Sequence, residues 1–530
     1  MGKMFIVNAI AFALLTISNA NAKTEDSSLN PMAPIFVQSQ YNPHLNDKVF
    51  SEESSLVRVE SGLMRGSLHD GIYQYLGVPY AEAQERFVRA TSVRKWDGIF
   101  NALTYGPMCE QQIFGTSEPV KGVATGNNVQ NLNIWTPSLN SNAKKPVMVW
   151  LHGGGFSSGT ANEAQFHGEN LSRIGDVVVV GVNHRLNALG HLDLSEFSDK
   201  YKDSANVGGL DLIDALTWIK NNIENFGGDP ENVTVFGESG GGAKVLELMS
   251  SPLAKGLFHK GIVQSGAVET MGVVFNSKEA SQALGRELLK ELNIAPKDIE
   301  VLQTLPMELI WKASAIAQKK VAEKYKIPAS LGTDYVMDWE PVSGTDFLPT
   351  NPVVENGFAS SGKDVPLLIG SNLTEWGTIL PQARHDNVTE EQKKLFTEAY
   401  PDEDPELVSV VDTTVIRMPL LKIMLHKVRQ KGAPVYAYVF TRQIGDDQVY
   451  HTAEIPFVFS NSKENGKLSN SMSKLWSSFA RNGAPSSDDI PEWLPFDEEN
   501  RATMILDDKS VLRYNHDRKL MKSFAPDYRY

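Results

Sequence analysis

Two serines in the sequence stand in the pattern Gly-x-Ser-x-Gly, which is typical of hydrolases that use a serine as nucleophile. Ser157 lies in residues 155–159 (GFSSG), and Ser239 lies in residues 237–241 (GESGG). Such a serine needs a histidine as general base, an acid that orients the histidine, and N–H groups that bind the oxyanion. Because the chain has 41 glycines, one copy of the pattern can easily be accidental.

The neighbouring residues separate the two serines. A nucleophile of this kind lies on a sharp turn between a strand and a helix. Ser239 follows the apolar run 233–236 (VTVF) and precedes good helix formers at 243–249. A helix N-terminus favours developing negative charge. Ser157 is followed by residues 158–162 (SGTAN), which have no helical pattern. We therefore predict that Ser239 is the nucleophile and that Ser157 is a loop serine.

Residues 152–155 (HGGG) could supply the oxyanion donors. Backbone N–H groups of glycine can approach a ligand closely because no Cβ intervenes, and each such donor contributes about 3 kcal/mol to the transition state. The alternative is a turn that needs glycine for geometry alone. We expect His152 to pack or to orient the loop rather than to titrate in catalysis.

Short aliphatic runs alternate with helical patterns along the chain, and these elements must position the candidate residues. Continuous apolar runs are typical of strands that helices bury on both faces, and residues 211–219 have helical spacing between two of them. The sequence therefore predicts the α/β class, with a large, mostly parallel central sheet and helices on both faces. The clearest runs are residues 147–150, 177–180, 233–236, 366–369 and 435–439.

The chain resembles the type-B carboxylesterase family of the α/β-hydrolase fold from about Val57 to Leu506. The resemblance implies one α/β-hydrolase domain over residues 55–530, in which inserted loops and helices, including residues 270–345, form an active-site gorge. It also implies a catalytic Ser, Glu and His in that order. The matching stretches are residues 75–81, 86–87, 132–137, 152–156, 182–186, 226–230, 237–241 and 256–259.

The resemblance assigns roles to particular residues. The nucleophile of the family matches Ser239, and its oxyanion donors match Gly154, Gly155 and Gly240. The predicted mechanism is hydrolysis of carboxylic esters through an acyl-enzyme.

Glu375 is the predicted acid. The family places a glutamate just past a strand in a Glu-Gly-like turn, and Glu375 follows the run 366–369 with Trp376 where glycine is usual. A carboxylate at the C-terminal end of a strand can reach the edge of the sheet where ligands bind. Asp346 and Asp364 precede that strand.

His451 is the predicted base. It follows the last strong strand run and precedes residues 454–459 (EIPFVF), which resembles the histidine block of the family. His426 continues the helical pattern of residues 420–425 and is interpreted as a helix-face residue. The histidines that follow Glu375 are His385, His426, His451 and His516.

Neither a metal nor an organic cofactor is expected, since the sequence has no Walker-type phosphate loop and no H-E-x-x-H motif. The predicted substrate is a small-molecule ester. Residues 109–131 contain no tryptophan to bind a quaternary ammonium group, which disfavours a cholinesterase. Two alternatives remain: a lipase or specialised hydrolase of a bulky natural-product ester, and a non-catalytic binding protein of the same fold.

The N-terminus predicts export. Residues 1–22 combine Lys3, an apolar run and the A-x-A site at residues 20–22, which is typical of a signal peptide. Residues 23–54 are predicted to be a loosely ordered arm, and the mature protein is expected to be secreted or periplasmic. The only cysteine lies far from the predicted cleavage site, so no lipid or membrane anchor is expected. The net charge of −14 argues against a nucleic-acid partner, and the oligomeric state is left open.

The sequence departs from the family pattern at several positions. Cys109 is the only cysteine, so the disulfide implied by the resemblance is missing and a free, buried thiol is expected. Asn127 stands where the family has a glutamate that pairs with the Arg86 position, which predicts a neutral hydrogen bond instead. His184 and Asn187 stand where Tyr and Gly are common.

Overall fold

An eleven-stranded mixed sheet lies at the centre of the protein in the computed structural model. Its strands are β1 (Ser67–His69), β2 (Ile72–Pro79), β3 (Asn131–Thr136), β4 (Lys145–Leu151), β5 (Val178–Val182), β6 (Gly228–Glu238), β7 (Lys260–Gln264), β8 (Leu367–Asn372), β9 (Val435–Phe440), β10 (Thr503–Leu506) and β11 (Val511–Arg513). The structure describes residues 53–113, 119–122, 124–269, 272–329, 334–355, 357–376, 388–444, 449–462 and 466–528.

The strand order across the sheet is β11-β10-β9-β8-β7-β6-β4-β5-β3-β2-β1. The strands from β10 to β5 in this order are parallel to one another. The remaining strands pair antiparallel at the two edges. The sheet is therefore mostly parallel, as predicted, and the carboxyl ends of its central strands share one edge.

Each central strand is buried on both faces, which explains why the sequence shows continuous apolar runs rather than alternation. In β4, Val147 and Val149 pack in one apolar cluster with Leu212, whereas Met148 and Trp150 pack in another on the opposite face. All five predicted strand runs overlap observed strands, and the helix predicted at residues 211–219 lies within a longer one.

Helices cover both faces of the sheet. The described α-helices of four or more residues are α1 (Glu169–Gly175), α2 (Asn187–His191), α3 (Val207–Asn222), α4 (Gly240–Ser250), α5 (Lys278–Glu291), α6 (Met307–Tyr325), α7 (Glu390–Ala399), α8 (Met418–Arg429), α9 (Ile455–Val458), α10 (Gly466–Asn482) and α11 (Arg518–Phe524). Helices α5 and α6 lie between β7 and β8 in the chain, within the predicted insertion 270–345, and pack in a third apolar cluster. Outside the large sheet, Leu56–Val59, Gly62–Arg65 and Ile99–Asn101 form a small three-stranded sheet.

A buried ion pair joins the turn after β5 to helix α3. Asp211 accepts hydrogen bonds from Arg185 Nε at 2.8 Å, Arg185 Nη2 at 2.7 Å and the Arg185 backbone N–H at 3.0 Å. Gln130 Nε2 donates to the same carboxylate at 3.0 Å. Both charges are fully satisfied, so the turn that follows β5 has a fixed position.

The predicted signal peptide, residues 1–22, lies outside the described residues, as do residues 23–52 of the predicted arm. Residues Glu53–Ser55 form a single 3-10 turn. Within the part of the chain that the structure describes, no helix has both the length and the apolar character that a membrane span requires.

Candidate active site

Ser239 lies on a sharp turn between β6, which ends at Glu238, and α4, which begins at Gly240. Its backbone has φ of 55° and ψ of −125°, a sparsely populated conformation that costs about 1–3 kcal/mol and is found chiefly at functional sites. A Cβ on Gly237 would lie 2.5 Å from the Gly241 carbonyl carbon, and one on Gly241 would collide with the Leu151 carbonyl oxygen. The turn therefore requires the flanking glycines that identified it in the sequence.

The glycine loop after β4 lies directly against this turn. A Cβ on Gly153 would lie 3.3 Å from Ser239 Cβ, and one on Gly240 would overlap the Gly155 carbonyl oxygen. Gly154 and Gly155 have φ of 84° and 60°, which favour glycine. In the described chain, the N–H groups of these two residues donate no hydrogen bond. They are therefore available as donors beside Ser239.

Ser157 occupies the turn that closes the glycine loop, where its backbone N–H donates to the Gly154 carbonyl at 3.3 Å. The next regular segment is the 3-10 turn Ala164–Phe166. Unlike Ser239, Ser157 does not precede a helix, in agreement with the expected loop position.

His451 and Glu375 are in direct contact. His451 Nδ1 lies 2.6 Å from Glu375 Oε2, and the His451 backbone N–H donates to the Glu375 carbonyl at 2.9 Å. His451 Nε2 lies 3.2 Å from Glu238 Oε1, but the two atoms are not aligned for a hydrogen bond, and within the described residues this buried nitrogen has no hydrogen-bond partner. The loop after β9 thus places the free nitrogen of the imidazole beside the residue that precedes Ser239.

Glu375 is fully buried, and several groups fix its carboxylate and its backbone. Oε1 accepts hydrogen bonds from Ser265 Oγ at 2.6 Å and from the Asn372 N–H at 2.8 Å. Asp412 Oδ1 accepts from the N–H groups of Glu375 at 3.0 Å and Trp376 at 2.7 Å. Glu375 Oε2 remains directed at the histidine, as an orienting acid requires.

Two further carboxylates surround His451, and the sequence interpretation did not include them. Burial raises the pKa of Glu238 well above its ordinary value. Burial also raises the pKa of Glu454, whose oxygens accept hydrogen bonds from Gln264 Nε2 at 3.1 Å and Asn372 Nδ2 at 2.8 Å. Their only sequence signal is position: Glu238 precedes the serine and Glu454 follows the histidine by three residues.

These carboxylates change the basicity of His451. Burial alone lowers the pKa of the imidazole, but Glu238 and Glu375, with a smaller contribution from Glu454, outweigh burial and raise the pKa to about 9. The neighbouring carboxylates therefore make His451 a stronger base than an ordinary histidine.

Trp376 covers one face of His451. The two rings stack with centroids 4.4 Å apart and an interplanar angle of 26°. An indole face attracts a cation placed over it, so this contact favours the protonated imidazole and limits the orientations of its ring. Trp376 stands where the family pattern has glycine, so this departure from the pattern places an indole ring in direct contact with the predicted base.

The remaining candidate acids and bases lie elsewhere. Asp346 and Asp364 are exposed. His426 lies on α8, and the His516 side chain, which is 4% exposed, has Nε2 3.3 Å from the Tyr400 hydroxyl. His385 lies outside the described residues.

The departures from the family pattern have structural consequences. Cys109 is a free, buried thiol, as predicted, and burial raises its pKa to about 12. Arg86 Nε donates to Asn127 Oδ1 at 3.1 Å, so the predicted hydrogen bond to a neutral side chain is present. Arg86 Nη2 also lies 3.8 Å from a carboxylate oxygen of Glu110. Asn187 has φ of 48°, a left-handed conformation that asparagine tolerates better than most residues.

One cluster in the described chain has the composition of a metal site: His69, Asp70 and Glu169. It is built from the hairpin between β1 and β2 and from the start of α1. The Glu169 carboxylate already accepts hydrogen bonds from Gln74 Nε2 at 2.9 Å and from Arg173, and it lies 2.9 Å from His69 Nδ1. These contacts account for the cluster as an internal polar network. None of them involves the predicted catalytic residues.

Comparisons with known proteins agree with this architecture. The sequence profile described as the carboxylesterase family matches residues 53–405 and 395–523. The chain is 30% identical to para-nitrobenzyl esterase of Bacillus subtilis over 89% of its own length and 98% of that protein. It is 28% identical to phenmedipham hydrolase of Pseudarthrobacter oxydans, covering 86% of this chain and 96% of that one.

A solved structure is similar over almost the whole chain. The esterase from the anaerobe Clostridium hathewayi that can hydrolyse aliphatic aromatic polyesters superposes with a TM-score of 0.77 at 32% identity, covering 91% of this chain and 100% of that one. The fold is that of the α/β-hydrolases. The chain belongs to the carboxylesterase family and is a carboxylic-ester hydrolase.

Proposed function

We propose that the protein is an exported serine esterase that hydrolyses small-molecule carboxylic esters through an acyl-enzyme on Ser239. The observation that carries this proposal is the position of His451, whose Nδ1 lies 2.6 Å from the fixed carboxylate of Glu375 while its unpartnered Nε2 faces the strand-to-helix turn of Ser239. Ser239 is 8% exposed and His451 is 9% exposed, so a substrate can reach a site from which most water is excluded.

In the proposed mechanism, His451 takes the proton from Ser239 Oγ as that oxygen attacks the ester carbonyl carbon. The negative charge that develops on the carbonyl oxygen is stabilised by the N–H groups of Gly154, Gly155 and Gly240. Such preorganised donors stabilise the transition state more than the ground state because they match the position of the developing charge.

The tetrahedral adduct then collapses. His451 donates the proton to the leaving alcohol, the carbon–oxygen bond to the alcohol breaks, and the acyl group stays on Ser239. The same histidine next removes a proton from water, whose oxygen attacks the acyl carbon. His451 then returns that proton to Ser239 Oγ as the bond between Oγ and the acyl carbon breaks, and the carboxylic acid is released. Glu375 holds the imidazole in the tautomer with its proton on Nδ1.

The names of the relatives bear on the substrate. They include a hydrolase of para-nitrobenzyl esters, a phenmedipham hydrolase and an esterase that acts on aliphatic aromatic polyesters. We propose that the substrate is an ester with an aromatic or otherwise compact alcohol or acid. The alternative substrate is a bulky natural-product ester. Initial rates with p-nitrophenyl esters of increasing acyl length, compared with aryl and alkyl leaving groups, distinguish the two.

The nucleophile is tested with a fluorophosphonate and peptide mapping of the adduct. We expect one adduct on Ser239, and we expect Ser239→Ala to lower kcat by on the order of 10⁶-fold. Ser157→Ala, in the second copy of the same motif, is the matched control and should keep its activity. An adduct on Ser157, or a pure Ser239→Ala enzyme that keeps a substantial fraction of its activity, would contradict the proposal.

Export is tested separately by expressing the full chain in a Gram-negative host and sequencing the N-terminus of the mature protein. We expect cleavage after residue 22, a mature start at Lys23, and activity in the periplasm or the medium. Retention of residues 1–22 on an active cytoplasmic protein would contradict this part of the proposal without affecting the esterase chemistry.

A further inference from the structure

A lysine ties the glycine loop to the nucleophile helix. Lys244 lies on α4, five residues after Ser239, and its exposure is 0%. Its Nζ donates to the Gly155 carbonyl at 2.7 Å and to the His152 carbonyl at 3.1 Å, and it lies 5.0 Å from the centre of the Phe156 ring. Every one of these partners belongs to the loop that carries the proposed oxyanion donors.

An apolar residue would be the less costly choice at this position. Burying an ammonium group is costly unless it is well paired, and here burial lowers the pKa of Lys244 to about 7. Its hydrogen bonds go to carbonyl oxygens, and burial also lowers the pKa of the neighbouring His152 and His191 to about 3. The buried carboxylates Glu247 and Glu238 act in the opposite direction and raise the pKa of Lys244, and the hydrogen bonds to the loop offset part of the cost of its burial.

The two anchored carbonyls flank the proposed donors. Each peptide unit is planar, so a bond to the His152 oxygen fixes the unit 152–153 and a bond to the Gly155 oxygen fixes the unit 155–156. The two units between them carry the N–H groups of Gly154 and Gly155. Three consecutive glycines have the greatest backbone freedom of any segment, and Lys244 restrains both ends of it.

We propose that Lys244 is a positioning residue that holds the N–H groups of Gly154 and Gly155 in register with Ser239. This inference rests on the proposed oxyanion hole. An ammonium group has three N–H donors and a neutral amine has two, so both protonation states of Lys244 can serve the two carbonyls.

The test compares Lys244→Met with a matched control, Lys427→Met. Lys427 lies on α8, has an exposure of 0%, donates to the Gly362 and Lys363 carbonyls at 2.9 and 3.0 Å, and lies 5.9 Å from the Phe358 ring centre. Lys427 makes the same kinds of contact as Lys244, but with the segment that precedes β8. Glu375 follows the other end of that strand, so within the described residues Lys427 contacts no part of the proposed catalytic site. Both substitutions remove a buried lysine with two carbonyl partners, but only one removes it from the glycine loop.

For Lys244→Met we expect kcat to fall on the order of 10²-fold, the effect of a small misplacement of catalytic groups, while KM changes less than about threefold. Hydrogen exchange of residues 152–158 should become faster while that of α4 is unchanged. Lys427→Met should show a similar loss of thermal stability with kcat within about twofold of the wild type. Lys244→Gln, which keeps N–H donors on a shorter side chain, should lie between the methionine variant and the wild type.

The proposal is overturned if Lys244→Met, assayed well below its melting temperature, keeps kcat within about threefold of the wild type. It is also overturned if the glutamine and methionine variants are equally impaired, since the hydrogen bonds would then be irrelevant. If the methionine variant does not fold, Lys244→Gln decides: a fall in kcat of at least about tenfold at unchanged KM supports the anchor, and an unchanged kcat excludes it. Failure of the esterase proposal is seen independently, as a fluorophosphonate adduct of the wild type at a residue other than Ser239.

Discussion

Glu375→Gln removes the charge of the predicted acid while keeping its shape, and the structure indicates how the amide must lie. The Asn372 backbone N–H donates to Oε1 of Glu375 at 2.8 Å, and this donor cannot turn away. The oxygen of the glutamine amide must therefore take the Oε1 position, and its NH₂ group must face His451 Nδ1. That nitrogen can then only accept, so the imidazole proton moves to Nε2 and the base is blocked.

The cost of restoring the productive tautomer gives the expected magnitude. Rotating the amide by 180° would set its NH₂ group against the Asn372 N–H and leave two buried donors without acceptors, at about 1–3 kcal/mol each. The total of about 2–6 kcal/mol corresponds to a fall in kcat of roughly 30-fold to roughly 3 × 10⁴-fold. The upper end is comparable to the loss seen when the acid of a serine-protease triad is replaced by its amide.

The assay is steady-state hydrolysis of a p-nitrophenyl ester by pure protein whose fold is verified by circular dichroism. Ser265→Ala is the control: it removes the 2.6 Å hydrogen bond to Oε1 of Glu375 but keeps the Asn372 donor, so kcat should fall less than about tenfold. If Glu375→Gln keeps kcat within tenfold of the wild type, the orienting role is refuted. A larger loss in Glu238→Gln than in Glu375→Gln would instead assign the role of the acid to Glu238.

Three further outcomes are expected. A Cβ on Gly154 would lie 2.5 Å from the Ser158 carbonyl oxygen, whereas a Cβ on Gly155 would meet nothing nearer than 3.9 Å. In initial-rate assays, Gly154→Ala should therefore lower kcat on the order of 10²-fold. Gly155→Ala should lower kcat less, because its cost is mainly that of the left-handed backbone, about 1–2 kcal/mol. Only neutral His451 can accept the proton, and its pKa is raised to about 9, so kcat/KM should rise with pH with a midpoint near 9. Glu238→Gln should move that midpoint toward neutral pH. A midpoint that does not move would contradict the contribution of the Glu238 carboxylate to the pKa of His451. Asp211→Asn breaks a fully buried ion pair and should lower the free energy of unfolding by about 3–5 kcal/mol in urea titrations; an unchanged unfolding midpoint would show that the pair contributes little.

Much of the fold could be predicted because buried parallel strands have an unmistakable sequence pattern. The runs at residues 177–180 and 435–439 are apolar at every position, and both became strands with bounds within a few residues of the prediction. The predicted run 233–236 belongs to an eleven-residue strand whose first half is polar, so its start was not visible. The antiparallel edge strands β1 and β2 mix polar and apolar residues and had no such signal.

The site was predictable to the extent that its chemistry constrains the local sequence. Ser239 needs glycines on both sides for steric reasons, and that requirement is visible in the sequence. The contact of Glu375 with His451 joins residues 76 positions apart, and here the family resemblance supplied what spacing could not. Lys244 looked like an ordinary helix former, because the sequence does not show that its side chain points into the interior.

The stacking of Trp376 on His451 also gives the enzyme an internal optical reporter. An imidazolium in contact with an indole quenches its emission more strongly than a neutral imidazole does, so the fluorescence of this one tryptophan follows the charge of the predicted base. The difference spectrum between the wild type and Trp376→Phe isolates it from the other eight of the nine tryptophans. Ionisation of the histidine can thus be recorded by light, without any substrate.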